Sequence, residues 1–239
     1  RRTMPDGTTV SSVLKTVGKE LTNKTIDLRN NEIKDVTVPV ANEEEIENTV
    51  KVMGGEDWEA WIQALVDADV LSDNAVTLAY SYIGPELTHA IYKEGSIGQA
   101  KKHLFETSKK LTKEFEAKGF SVNKALVTQS SAAIPIVPLY ISLLYKIMKK
   151  EGLHEGCIEQ MNRLFIDKLP AKETDAEGYI RLDDWEMEDK VQNEITKLWD
   201  LVTTENIGEL GDIEGYWEDF YHMFGFHYDN VDYSADVEI

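Results

Sequence analysis

The stretch VTLAYSYIGPELTHAIYKEGSIGQAKK, residues 76–102, decides the fold. Residues 76–80 are apolar, β-branched or aromatic, which is typical of a short buried strand. A turn is predicted at Gly84-Pro85. Ser96, with Gln99 three residues later, forms the pattern of a capping box and predicts that a helix begins there. The sequence therefore predicts a strand, a turn and then a helix.

A tyrosine and a lysine flank this predicted cap. On one continuous helix, nine residues span two and a half turns and would place Tyr92 and Lys101 on opposite faces. A helix that begins at Ser96 leaves Tyr92 on the preceding loop, and its hydroxyl can then reach back toward the Lys101 ammonium. A nearby cation lowers the pKa of a tyrosine and makes it a proton donor usable near neutrality. The spacing alone favours the simpler alternative of a half-buried aromatic beside a solvated lysine.

A second apolar run, Ala125-Leu126-Val127-Thr128, predicts another buried strand after that helix. Strand, helix and strand in this order form a βαβ unit, whose parallel strands end at one edge of the sheet. Tyr82 and Thr128 lie at or just past these ends, where open α/β sheets bind ligands. Pro138 predicts the first turn of an apolar helix over residues 139–150, which we expect to be buried.

The composition is strongly acidic, with 44 Asp and Glu against 25 Lys and Arg and a formal net charge of −19 over 239 residues. Such a charge argues against binding to nucleic acid or to anionic membrane surfaces. No apolar run is long enough for a transmembrane helix, so no membrane insertion is expected. Cys157 is the single cysteine, which excludes an internal disulfide and fits a cytoplasmic location.

Common catalytic and cofactor motifs are absent from the sequence. The five histidines show no zinc-site spacing, and no metal is expected. There is no GxSxG nucleophile motif, and neither GxGxxG nor a P-loop occurs to hold a phosphate.

Five blocks of sequence carry a family resemblance. They are YIGPE at 82–86, the Tyr92-x8-Lys101 pair with GSIGQAK at 95–101, VTQSSAAIPIVPLY at 127–140, HEGCIEQ at 154–160 and NVDYSADV at 230–237. In this order they resemble the trans-2-enoyl-CoA (enoyl-ACP) reductases of the FabV type, over essentially the whole chain. The resemblance implies an α/β fold with a Rossmann-type, short-chain-dehydrogenase-like parallel sheet flanked by helices.

The resemblance also implies an activity. This is the NADH-dependent reduction of the 2,3 double bond of a trans-2-enoyl-CoA or enoyl-ACP thioester to the saturated acyl thioester in fatty acid synthesis, by an enzyme that is monomeric at full length. The alternative is a non-catalytic fragment that binds acyl thioesters.

Site residues follow from the resemblance position by position. Tyr92 is the implied proton donor, and Lys101 binds the cofactor and holds Tyr92 in place. Tyr82 is expected to contact the substrate thioester, and Tyr145 to line the acyl pocket. The positions expected to touch the nicotinamide side of NADH are Leu126, Val127 and Thr128.

The resemblance further implies a glycine-rich dinucleotide loop upstream of Arg1. Residues 1–239 are therefore expected to be a single incomplete domain, the N-terminally truncated C-terminal part of an enoyl-thioester reductase, which on its own should bind NADH poorly and turn over slowly or not at all. Within it we expect a substrate-side insertion with helices over residues 1–75, a catalytic βαβ core over 76–150 and a helical cap over 151–239.

Overall fold

The structure is a computed structural model that describes residues 1–72, 75–115 and 120–236 and combines short strands with longer helices. The strands are β1 (Arg2–Thr3), β2 (Thr9–Val10), β3 (Leu21–Asp27), β4 (Glu32–Val38), β5 (Ala79–Ser81), β6 (Phe120–Val122) and β7 (Ile180–Arg181). The α-helices are α1 (Glu43–Met53), α2 (Glu56–Asp67), α3 (Glu86–Tyr92), α4 (Ser96–Phe115), α5 (Val137–Glu151), α6 (Cys157–Arg163), α7 (Leu169–Ala171), α8 (Asp189–Leu201), α9 (Ile207–Leu210) and α10 (Ile213–His222). A 3-10 turn covers Ser131–Ala133, and the π-helical turn Leu164–Lys168 joins α6 to α7.

The strands form three small sheets. β1 with β2 and β3 with β4 are antiparallel pairs, whereas β5, β6 and β7 form a parallel sheet in that order. Because α4 connects β5 to the parallel strand β6, the predicted βαβ unit is confirmed. All three strands of the parallel sheet end toward the same edge, which is where a ligand site is expected.

Both predicted strands of this unit are displaced in the structure. β5 covers Ala79–Ser81 instead of residues 76–80. The run 125–128 is not a strand, because the strand lies earlier, at Phe120–Val122. The backbone amide of Ala125 donates instead to the Glu186 carboxylate, and that of Val127 to the Tyr145 hydroxyl. These side-chain acceptors replace a strand ladder, so Ala125 and Val127 are buried without lying in a strand.

The predicted cap at Ser96 is only half right. Helix α4 does begin at Ser96, but the Ser96 hydroxyl donates to the Val13 carbonyl at 2.7 Å and accepts from the Lys15 amide at 3.1 Å. The N-terminal segment thus occupies the hydroxyl that a capping box would use. Tyr92 is also not on a loop, because it is the last residue of α3.

Helix α5 is the centre of the core. It begins at Val137 with Pro138 in its first turn, and its buried residues lie on nearly all sides, as the sequence predicts. It packs against α8 through Val191 and Ile195 and against the C-terminal helix α10 through Tyr216. An apolar helix covered from several directions gives a rigid base for side chains at the sheet edge.

The C-terminal segment packs less completely than the sequence suggests. Tyr216 is fully buried, but Phe224, Phe226 and Tyr228 are exposed.

In the part of the chain that the structure describes, no helix combines the length and the apolar character needed to cross a bilayer.

Candidate active site

Tyr82, Tyr92 and Lys101 form one cluster beyond the end of β5. The Tyr82 and Tyr92 rings meet edge to face, with centroids 4.7 Å apart. The Lys101 ammonium lies 4.3 Å from the centroid of the Tyr92 ring and donates a hydrogen bond to the Tyr82 carbonyl. The sequence prediction that Tyr92 and Lys101 belong together is consistent with this geometry, although the two residues come from two helices instead of a loop and a helix.

The electrostatics of the cluster differ from the sequence prediction. Burial raises the pKa of Tyr92, and the nearby Glu186 carboxylate raises it further. Burial also lowers the pKa of Lys101 to about 7. The predicted lowering of the Tyr92 pKa is wrong for this state, because desolvation outweighs an ammonium that lies over the ring face. Tyr92 therefore keeps its proton at neutral pH, and an anionic ligand would favour the charged form of Lys101.

The Tyr92 hydroxyl differs from the other tyrosine hydroxyls near this group, because no carboxylate among the described residues accepts from it. The hydroxyls of Tyr82, Tyr140 and Tyr145 donate to carboxylates. No such partner is found for Tyr92 within residues 1–72, 75–115 and 120–236, and its oxygen is not sealed from solvent. A buried ring with an open hydroxyl is suited to bind or protonate a ligand.

A buried carboxylate, Glu186, underlies the cluster and was missed in the sequence. One of its oxygens accepts from the Tyr82 hydroxyl at 3.0 Å and from the Tyr140 hydroxyl at 2.6 Å. The other accepts from the Ala125 amide at 2.7 Å. Burial raises the pKa of Glu186. In sequence it lies within an acidic run that looks solvent-exposed, and only its position just beyond β7 could have marked it.

Lys124 and Tyr145 form a second buried group on the other side of Glu186. The Lys124 ammonium donates to the Ala125 carbonyl at 2.9 Å and lies 4.6 Å from the centroid of the Tyr145 ring. Burial lowers the pKa of Lys124 to about 8. The Tyr145 hydroxyl donates to Asp219 at 2.6 Å and accepts from the Val127 amide. Tyr145 thus fixes the backbone beyond β6.

A cavity of about 580 Å³ opens beside this group. Leu126 and Val127 line it together with His154 and Asp219, whereas Tyr145 lies behind its wall. Thr128 is exposed and forms a local turn with Ser131, and none of its hydrogen bonds reaches the Tyr92 cluster. The structure therefore brings Leu126 and Val127 to a cavity but does not join Thr128 to the tyrosines.

A parallel βαβ unit with a tyrosine and a lysine at its carboxyl edge defines an α/β fold, and open α/β sheets generally bind their ligands at this edge. The family described as "Trans-2-enoyl-CoA reductase catalytic region" matches residues 1–169, and "Enoyl reductase FAD binding domain" matches residues 174–237. The chain belongs to the trans-2-enoyl-CoA reductase family.

Individual relatives agree with this assignment. The enoyl-[acyl-carrier-protein] reductase [NADH] of Flavobacterium johnsoniae is 54% identical over 99% of this chain and 62% of its own length. The trans-2-enoyl-CoA reductase of Treponema denticola, solved in complex with NAD, is 48% identical with a TM-score of 0.93, over 99% of this chain and 61% of its own. That of Clostridium acetobutulicum, also with NAD, is 44% identical with a TM-score of 0.91, over 100% and 63%. The chain thus spans about three fifths of the length of these relatives.

The segment matched as FAD-binding does not fit a flavin dinucleotide. Residues 174–237 contain 18 acidic residues and only three basic ones. Each of these three, Arg181, Lys190 and Lys197, is ion-paired with a neighbouring carboxylate. A diphosphate needs cations or a free helix N-terminus, whereas α8 begins at the acidic Asp189 and is preceded by Glu188.

The corner between α3 and α4 depends on a glycine. A Cβ atom on Gly98 would collide with the backbone carbonyl of Lys93. We expect Gly98→Ala to force the two helices apart, to lower the free energy of unfolding by about 1–3 kcal/mol and to displace Tyr92 from Lys101. Chemical denaturation measures the loss.

Gly208→Ala is the matched control for this change. A Cβ atom there meets nothing within 4 Å, and the residue lies in α9. It should stabilise the protein by about 0.4–1 kcal/mol. Equal effects of the two substitutions would show that the corner tolerates a methyl group.

Proposed function

We propose that this chain carries the catalytic residues for NADH-dependent reduction of the 2,3 double bond of a trans-2-enoyl thioester, on either coenzyme A or acyl carrier protein. The observation that carries the proposal is the open Tyr92 hydroxyl beside Lys101 at the carboxyl edge of the parallel sheet. The names of the relatives, enoyl-[acyl-carrier-protein] reductase [NADH] and trans-2-enoyl-CoA reductase, support it. We further propose that the parallel sheet is of the Rossmann type.

NADH, when bound, supplies a hydride to the β carbon of the enoyl group. Residues of the chain itself then supply the proton. Tyr92 holds its proton at neutral pH, because burial raises its pKa, and donates it to the α carbon beside the thioester carbonyl. Protonated Lys101 stabilises the tyrosinate that remains. A proton from water restores the tyrosine, so that one hydride and one proton are added per turnover.

The other predicted residues take supporting positions. Leu126 and Val127 line the cavity beyond β6 and are proposed to face the nicotinamide, with Thr128 at its rim. The Tyr82 proton is directed to Glu186, so we propose that Tyr82 contacts the thioester through its ring. Tyr145 is proposed to support the wall of the acyl pocket from behind.

The alternative function is a non-catalytic module that binds acyl thioesters. The accessible cavity beside Val127 is compatible with it, because a cavity of this size can hold a small ligand whether or not a reaction follows.

The division of the chain into three parts, its monomeric state and its cytoplasmic location remain predictions.

The decisive experiment follows the atoms of the reaction. A longer form of the protein, extended upstream of Arg1, is incubated in ordinary water with crotonyl-CoA and with NADH that carries deuterium on the transferred position, and then in heavy water with unlabelled NADH. We expect NADH loss to equal butyryl-CoA formation, with the NADH label on the β carbon and the solvent label on the α carbon.

Butyryl-CoA in place of crotonyl-CoA is the control and should consume no NADH. Crotonyl-CoA binding by calorimetry without any NADH loss would contradict the reductase and favour the binding module.

A further inference from the structure

A second cavity, of about 470 Å³, lies between α4, α7 and the start of β7. Its apolar surface comes from Phe105, Leu169 and Ile180. Its polar lining consists of three hydroxyl residues and four lysines, namely Ser108, Thr112, Thr174, Lys109, Lys113, Lys168 and Lys172. Within the described part of the chain, no acidic residue lines it. We call it the lysine cavity.

The lysine cavity lies away from the proposed active site. Lys109 and Lys113 are two to three turns beyond Lys101 along α4, or roughly 12–18 Å at the rise of an α-helix. Ile180 is the first residue of β7, so the cavity adjoins the amino end of the parallel sheet. Tyr82 follows the carboxyl end of β5. The two sites are therefore at opposite ends of the sheet.

The lining of the lysine cavity is positively charged, whereas the whole chain is negatively charged. In a protein of net charge −19, two of the four lysines in the lining form ion pairs with carboxylates, and the other two give the described lining a local positive potential. Lys168 is paired with Asp184 at 2.8 Å, and Lys109 with Glu106 at 3.1 Å. Lys113 and Lys172 form no ion pair with any residue that the structure describes. Among the described residues, these two ammonium groups are therefore the unpaired cations of the lining.

The apolar part of the lining determines which group can accompany an anion in this cavity. The centroid of the Phe105 ring lies 4.0 Å from that of Tyr179 and 4.2 Å from the Lys109 ammonium. The faces of this ring are therefore already occupied. A planar base has no free ring there to stack on. Leu169 and Ile180 offer aliphatic surface instead, which suits an alkyl chain.

We propose that the lysine cavity binds an amphiphilic anion, with an alkyl chain against Leu169 and Ile180 and a carboxylate or phosphate head group held by Lys113 and Lys172. The volume falls within the range of small-molecule sites. The proposal is independent of the reductase activity, because it uses neither Tyr92 nor Lys101.

Calorimetric titration of the protein tests this site with four probes: dodecyl phosphate, dodecanoate, inorganic phosphate and the neutral dodecyl glucoside. We expect saturable binding of at least one of the two anionic amphiphiles, and binding at least roughly tenfold weaker for the glucoside and for inorganic phosphate. Tighter binding of dodecyl phosphate assigns the head group to a phosphate monoester, and tighter binding of dodecanoate assigns it to a fatty acid.

Charge reversal locates the ligand. Lys113→Glu with Lys172→Glu should weaken binding of the preferred amphiphile by roughly tenfold or more, and the milder Lys113→Gln with Lys172→Gln should weaken it less. The control Lys150→Glu with Lys197→Glu changes the net charge equally on surfaces outside the cavity and should leave binding unchanged. Tyr92→Phe should also leave it unchanged.

Thermal unfolding shows that each variant is folded. Equal affinity in the two charge-reversed proteins, equal affinity for the neutral glucoside, or no binding of either anionic amphiphile would overturn the proposal.

Discussion

Tyr92→Phe is expected to lower kcat for enoyl-thioester reduction by about 10²–10⁴-fold, the usual contribution of a general acid. The substitution removes only a hydroxyl, and in the described part of the chain that hydroxyl has no hydrogen-bond partner that would be left unsatisfied. The free energy of unfolding should therefore stay nearly constant. Initial rates of NADH oxidation with crotonyl-CoA, measured in the protein extended upstream of Arg1, give kcat, and urea denaturation gives the free energy of unfolding.

The control for this substitution is Tyr80→Phe. Tyr80 lies in β5, two residues before Tyr82, and is 54% exposed. Its hydroxyl is not part of the proposed site, so kcat and stability should both match those of the unchanged protein. Full turnover by Tyr92→Phe would assign the proton to another donor and remove the basis of the proposed mechanism.

Glu186→Leu is expected to have the largest effect on stability. It leaves the Tyr82 hydroxyl, the Tyr140 hydroxyl and the Ala125 amide without their acceptor in a buried site. Each unsatisfied buried donor costs about 1–3 kcal/mol, and removal of the buried carboxylate offsets part of this sum, so we expect a net loss of roughly 3–5 kcal/mol in the free energy of unfolding. Guanidinium denaturation followed by tryptophan fluorescence measures it.

Two further variants separate hydrogen bonding from other effects of this change. Glu186→Gln keeps one acceptor oxygen and the size of the side chain, so its loss should be clearly smaller than that of Glu186→Leu. Glu218→Leu makes the same chemical change at an exposed position of α10 and should change stability by less than about 0.5 kcal/mol. If Glu186→Leu is no less stable than Glu218→Leu, the buried network makes no net contribution.

The sequence predicted those parts of the fold that rest on local patterns. The strand-helix-strand unit, the start of α4 at Ser96 and the buried helix behind Pro138 each have a local signal, namely an apolar run, a small polar residue before a helical period, or a proline in the first turn. The strand at Phe120–Val122 was missed because the neighbouring run 125–128 is equally apolar. Its burial comes from side-chain acceptors that are distant in sequence.

In the candidate site, too, the residues with a local signal in the sequence could be predicted and the others could not. Tyr92, Lys101 and Tyr82 could be found because a spacing and a resemblance marked them. Glu186 and Lys124 could not, since an acid and a lysine in charged surroundings are usually solvated, and only tertiary packing places them in the interior. The pKa of Tyr92 was predicted in the wrong direction because spacing contains no information on desolvation.

The corner at Gly98 changes what the Tyr92-x8-Lys101 spacing measures. Tyrosine and lysine nine positions apart are common by chance, and on a single helix they point away from each other. Here the spacing includes the end of one helix, a short turn and the start of the next helix, and the turn closes because positions 95 and 98 have no side chains. A search pattern that also requires glycine six residues after the tyrosine would select for this two-helix geometry and reject chance matches on continuous helices.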